Sequence, residues 1–203
     1  MSKNPAPSAR TVLVTGFEPF GGERSNPSAF IAGALDGREL AGHRVTGVVL
    51  PVVFGASLRA LDDAIERVQP ALVVCLGVAG NRRHITPERV AINLDDARIP
   101  DNAGNLPIEQ PVVAGGPVAY WSTLPVRRME AALAAADVPV KLSETAGTYV
   151  CNHLFYGLMH RLAQRPGVRG GFVHVPRPRA GLSRAKMADG LVAAIAAALG
   201  ETD

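Results

Sequence analysis

The chain has 203 residues, 47% of them hydrophobic and 19% charged, so it can bury one sizeable core and is not a disordered polymer. No run of ~18 apolar residues is present, which excludes a membrane-spanning helix. Formal net charge is +3, and the densest basic stretch (Arg177, Arg179, Arg184, Lys186) has no interleaved aromatics, so it reads as a solvated face rather than a nucleic-acid surface.

The opening MSKNPAPSAR is polar and lacks the apolar centre of a signal peptide. Residues 1–10 are expected to be a loose tail, 11–203 a single domain, and the cytoplasm the address. TVLVT (11–15) is a short apolar run that ends at Gly16 and predicts a buried strand. After a loop rich in Gly, Pro and Phe, Asn26 precedes Pro27, the pattern of a helix N-cap followed by proline at the first helical position. A second strand is predicted around 45–53. Leu58, Leu61, Ile65 and Val68 recur at helical spacing until Pro70. ALVVCLG (71–77) predicts a third strand and ERVAINL a short one. Residues 95–121 are rich in Pro, Gly and Asn, and a loop that long is uncommon unless functional. A helix near 126–136, a strand near 138–143, a helix starting at or near Cys151, a strand RGGFVHV ending at His174, and a last helix capped by Ser183 and ending at Gly200 complete the order.

Strands and helices alternate, which predicts an α/β fold: a three-layer αβα sandwich around a twisted, largely parallel (mixed) sheet. Sites in such folds gather beyond the C-terminal ends of the strands. Gly16 to Gly22, Gly77 to Glu88, Ala146 to Cys151 and His174 to Pro176 all lie at such ends.

The two cysteines, Cys75 and Cys151, are too few for a disulfide framework, and no CxxC is present. Cys151 stands at a predicted helix start, where free N–H groups and the helix dipole favour a thiolate and could also hold an oxyanion. Structural burial remains the alternative there. Cys75 sits mid-strand and reads as structural. Among five histidines, His174 is favoured as the base, with His84 also open. His43 falls in a polar loop, and His160 on the outer, exposed part of a helix. His153 is two positions from Cys151 and so off its helix face. Glu88, Asp95, Asp96 and Asp101 are all candidates for the group that orients the imidazole. Phe17 and Phe20 on the loop TGFEPFGG form either an apolar binding wall or core packing. No nucleotide-binding or metal-ligand pattern is present.

TGFEPFGGERSNPS, ITPERVAINLDDARIPDNAGN, ETAGTYVCNHLFYGLMH and GFVHVP closely resemble the motifs of the pyroglutamyl peptidase I (pyrrolidone-carboxylate peptidase) family, in order and spacing, over about Thr11 to Pro176. The resemblance implies a cytosolic cysteine exopeptidase that removes N-terminal pyroglutamate from peptides, needs no metal or other cofactor, and forms a homotetramer or dimer. It implies Cys151 as nucleophile, His174 as base, and Glu88 as the acidic member. It also implies a pocket from Phe17 and Phe20 with Val52, Ile99, Tyr149 and Val150 nearby. Asn26 would fix the loop and substrate, Arg98 would lie near the nucleophile and its oxyanion, and backbone around Val78 would meet the lactam. The sequence departs from the family pattern at Val78 (commonly Gln), Asn81 (frequently Gly) and Tyr149 (usually Phe). On this reading His174 holds Cys151 as a thiolate. Alternatives are a cysteine amidase for another cyclic amide or small acyl substrate, and an inactive binding protein of the same fold.

Overall fold

The computed structural model describes residues 10–200, so residues 1–9 of the expected tail and the last three residues lie outside the described residues. Four segments form a parallel core of strands: β1 (Thr11–Phe17), β3 (His43–Leu50), β4 (Leu72–Val78) and β8 (Arg169–Val175). Two short strands, β2 (Glu39–Leu40) and β5 (Thr86–Pro87), pair antiparallel at the edges, giving a six-stranded mixed sheet in the order β2-β3-β1-β4-β8-β5. A separate hairpin joins β6 (Val90–Ile92) to β7 (Ala119–Trp121).

Period-two alternation explains the layers. Val12 and Val14 of β1, Leu72, Val74 and Leu76 of β4, and Val173 and Val175 of β8 pack against α1 (Pro27–Leu35), α3 (Val126–Ala135) and α5 (Arg184–Leu199). Leu13, Val73, Cys75 and Phe172 face the other way, onto α2 (Ala56–Val68) and α4 (Val150–Leu162). The outcome is the expected αβα sandwich.

Local chemistry sets the helix boundaries. Asn26 Oδ1 accepts from Ser28 N at 3.0 Å, and Pro27 opens α1. Ser183 caps α5 through Lys186 N. Gln69, in the left-handed region at φ 47°, ends α2 just before Pro70. Gly16 lets α1 approach β1: a Cβ there would sit 2.3 Å from Ser28 O.

Two expectations change. The strand predicted at 138–143 is present only as isolated parallel bridges, Ile85↔Val140 and Glu88↔Ser143. Lys141 N donates to Ile85 O and Ser143 N to Pro87 O, but Pro87 has no N–H to return to Lys141 O, which breaks the ladder between the two bridges. The other change is His160, which is half-buried rather than exposed. The β6–β7 hairpin folds over α4 and brings Tyr120 Oη within 2.8 Å of His160 Nδ1.

Candidate active site

Two strand registers assemble the centre. His174 on β8 lies opposite Gly77 on β4, and Phe172 opposite Cys75. Partners in a ladder point to the same side, so these four positions share the α4 face of the sheet. On the other flank, β5 places Thr86 opposite His174, and the next backbone bond runs from Glu88 N to Phe172 O at 2.9 Å. Glu88 therefore projects to that same face, diagonal to His174, a separation that a long side chain bridges. His174 Nδ1 lies 2.7 Å from Glu88 Oε1. A carboxylate oxygen accepts, so Nδ1 carries the hydrogen and Nε2 is left free to accept.

The sulfur arrives from the opposite layer. α4 begins at Val150 with Tyr149 as its N-cap, and no side chain caps its first amides. Cys151 is thus in the first turn, where N–H groups have no partner within the helix. A Cβ built on Gly77 would lie 2.9 Å from Cys151 Sγ and 2.7 Å from Phe172 Cζ. The sulfur therefore occupies the space above Gly77, beside the register partner His174. Cys75 is fully buried and Cys151 half-buried.

The sequence reading did not single out Arg82. Its Nη1 lies 2.5 Å from Glu88 Oε1, and its Nη2 donates to Thr145 O at 2.7 Å. Glu88 is fully buried, with Oε1 shared between Arg82 and His174. The signal for Arg82 was slight: one Arg among several in a loop, six residues before the carboxylate. Gly77 had a clearer one, since a glycine inside a strand marks a close approach.

Burial pushes the Cys151 thiol up to about 12; the Glu88 charge adds to this, and Arg82 opposes it. Burial also pushes His174 below its ordinary 6.5, against the hydrogen bond it donates to Glu88. Both directions favour a neutral thiol beside a neutral imidazole. Desolvation thus works against the thiolate that the helix start favours, since it disfavours both charges at once.

Next to the sulfur lies a small apolar pocket lined by Phe17, Phe20, Asn26, Val52, Val78, Tyr149, Val150 and Cys151. Its free volume is about 10 Å³, room for about one water, so a ring enters only as these walls part. Phe17 is buried and belongs to the core as well as to the wall; its ring centroid is 6.5 Å from that of Phe172. Phe20 sits at the rim, 6.1 Å from the Tyr149 ring. The Tyr149 hydroxyl turns away to donate to Pro100 O at 3.0 Å. Asn26 spends both ends of its side chain on the protein, since Nδ2 donates to Glu18 O at 3.0 Å. Ile99 is 47% exposed and lines only the wider cleft outside. Arg98 is exposed, lines neither space, and makes no hydrogen bond or ion pair among the described residues.

Of the other candidate carboxylates, Asp95 and Asp101 are engaged elsewhere. His84 is exposed. His153 Nδ1 lies 2.7 Å from Asp95 Oδ2, and its Nε2 accepts from Gly55 N at 2.9 Å. Asp101 accepts from Phe54 N, Ala103 N and Asn105 N and so folds the start of the long loop. Asn152 grips Ile92 and Leu94. These ties fix the segment at 95–121 against the start of α4. No group of three or more metal-ligating side chains is found among the described residues.

Comparison with known proteins now bears on this geometry. Residues 10–197 match the family model described as Pyroglutamyl peptidase. The chain belongs to the pyroglutamyl peptidase family. A pyrrolidone-carboxylate peptidase of Escherichia fergusonii is 53% identical over 167 residues, 82% of this chain and 78% of that one. The Bacillus cytotoxicus protein of the same name is 53% identical over 168 residues, with the same coverage of 82% and 78%. Among solved structures, the pyroglutamyl peptidase I from Bacillus amyloliquefaciens superposes with a TM-score of 0.91 at 43% identity, covering 96% of this chain and 99% of that one. A mutant pyrrolidone carboxyl peptidase from Pyrococcus furiosus gives 0.91 at 37% identity, covering 95% and 100%. The fold and family of this peptidase therefore agree with the motifs read in the sequence.

Proposed function

We propose that this pyroglutamyl peptidase family member hydrolyses the amide bond after an N-terminal pyroglutamyl residue, with Cys151 as nucleophile, His174 as base and Glu88 as its orienting carboxylate. The observation that carries this reading is the joint placement of a first-turn cysteine, a carboxylate-bound imidazole and a small apolar pocket. Pyroglutamate is a neutral lactam without a free α-ammonium. It calls for a flat apolar slot rather than carboxylates or a metal, and Phe17, Phe20, Val52 and Tyr149 supply such walls.

From the neutral pair, His174 Nε2 takes the thiol proton as sulfur attacks the pyroglutamyl carbonyl carbon. Free amides of the first turn of α4, including that of Cys151, face the oxyanion; each such donor is typically worth ~3 kcal/mol. The imidazolium gives its proton to the departing amine, leaving a thioester. Water activated by His174 then releases pyroglutamate and restores the thiol. Glu88 holds the tautomer throughout, and Arg82 holds Glu88. Asn26 shapes the loop over the ring, and backbone at Val78 is placed to meet the lactam. Arg98 has its place in this reading only if the loop moves on binding.

Peptides with N-terminal pyroglutamate are the proposed partners, the cytoplasm the proposed compartment, and a homotetramer or dimer the proposed assembly, without nucleic acid, membrane or cofactor. No helix among the described residues is long and apolar enough to cross a membrane.

The purified protein should release a fluorophore from a pyroglutamyl amide and leave the corresponding prolyl amide intact. No turnover of the first, or equal turnover of both, would reject the reading.

A further inference from the structure

We infer that the cleft outside the small pocket selects peptides with a carboxylate close behind the pyroglutamyl residue, and that Arg184 is the specificity-determining cation. This rests on the function proposed above. The small pocket shares Phe20, Asn26 and Val78 with an open cleft of about 510 Å³. With the ring in the pocket and its carbonyl at Cys151, the residues that follow run out along that cleft.

The charge there is uneven: Arg177 and Arg184 line the cleft with Glu23 as the lone carboxylate. Arg177 Nη2 pairs with Glu23 Oε1 at 2.8 Å. Arg184 meets no carboxylate among the described residues. Its Nη2 donates to Ser25 Oγ at 3.0 Å, and its guanidinium stands 5.7 Å over the Phe30 ring. Both contacts hold the side chain in place and leave its charge unneutralised. A planar guanidinium with spare donors is suited to a carboxylate.

The same basic stretch divides in space. Arg179 is tied to Arg83 O at 2.7 Å, and Lys186 to Asp137 at 2.7 Å, both away from the cleft. Only the other two of the four turn toward the path of the substrate. The reading of this stretch as a uniform solvated face is therefore too coarse.

The chemistry fits a carboxylate from either an acidic side chain or a free peptide C-terminus. The test measures kcat/KM for four peptides: pyroglutamyl-alanine amide, pyroglutamyl-alanine with a free carboxylate, pyroglutamyl-glutamate amide and pyroglutamyl-lysine amide. A carboxylate-bearing peptide should exceed the neutral amide by about three- to fivefold, the range for an exposed charge pair, and the gap should close in high salt. The free-acid and glutamate arms separate the two sources. In Arg184→Gln the ratio should fall to about one, whereas Lys186→Gln, on the same helix but outside the cleft, should retain it. Equal kcat/KM for all four peptides, or a preference that persists in Arg184→Gln, overturns the cleft assignment alone. Hydrolysis of none of them overturns the functional reading and this one with it.

Discussion

Substituting Gly77 by alanine tests whether sulfur, imidazole and strand β4 meet as described. The added methyl would lie 2.9 Å from Cys151 Sγ, 2.7 Å from Phe172 Cζ and 3.0 Å from Phe172 Cε1. Comfortable contact needs about 3.5–4.0 Å, so sulfur and ring must each retreat by roughly 1 Å. Phe172 is fully buried and packed near Phe17 and Phe155, so it has little room to yield. Overpacking of this kind costs about 1–3 kcal/mol of stability. A displacement of about 1 Å at a reacting atom costs on the order of 10²-fold in rate. The expected variant is therefore folded, melts a few degrees lower, and has kcat/KM on a fluorogenic pyroglutamyl amide about 100-fold down. Thermal melting and steady-state kinetics on one preparation check both. Wild-type kcat/KM in Gly77→Ala would mean that the sulfur is not held above that glycine, and the geometry of the site would have to be rebuilt.

Three further outcomes follow from the same contacts. Arg82→Gln leaves the fully buried Glu88 without its cation; a loss of about 3 kcal/mol in denaturant unfolding, with a fall in kcat larger than any rise in KM, is expected. Unchanged stability would show that Arg82 does not support the carboxylate. Acid and alkali should both destabilise, for different reasons. Burial lowers His174 below 6.5, so its neutral form is a stability contribution that is complete above 6.5 and is lost as pH falls toward the folded value. Burial raises Cys75 from 9.0 to about 12, so its contribution is complete below 9 and is lost as pH climbs to 12, at most about 4 kcal/mol. Unfolding midpoints across pH check this, and Cys75→Ala should make the alkaline fall shallower, with the part due to Cys151 remaining. An equally steep fall in that variant would contradict it. Finally, iodoacetamide should modify the folded protein at Cys151 and spare Cys75, which has no exposed surface; peptide mapping that finds equal labelling would contradict the difference in access.

What the sequence revealed follows a physical divide. Chain-local signals were legible: Asn26 before Pro27, Ser183 before the last helix, Pro70 after α2, and apolar runs for β1, β4 and β8 all correspond to observed elements. The 138–143 strand was over-read because Val138, Val140 and Leu142 alternate correctly, while Pro87 of the neighbouring strand interrupts the ladder. Physical reasoning on the residues could not rank four carboxylates, because the choice depends on a strand register: β5 beside β8 brings Glu88 to His174, while Asp95 is taken by His153. The spacing rule set His153 aside as a base, yet its pair with Asp95 was invisible, since the partner is 58 residues away. Arg82 was missed although Glu88 is only six residues away, because a loop sequence does not tell which way a guanidinium turns. The desolvation that opposes a charged Cys151 was not legible either, because a helix start is visible in a sequence and burial of the site is not.

The most direct measurement is capture of the acyl-enzyme. Acid quenching of the protein during turnover of a pyroglutamyl amide, followed by peptide mapping by mass spectrometry, should place a pyroglutamyl adduct on the peptide that contains Cys151 and nowhere else. Turnover that continues in Cys151→Ala, or an adduct on any other residue, would contradict the account.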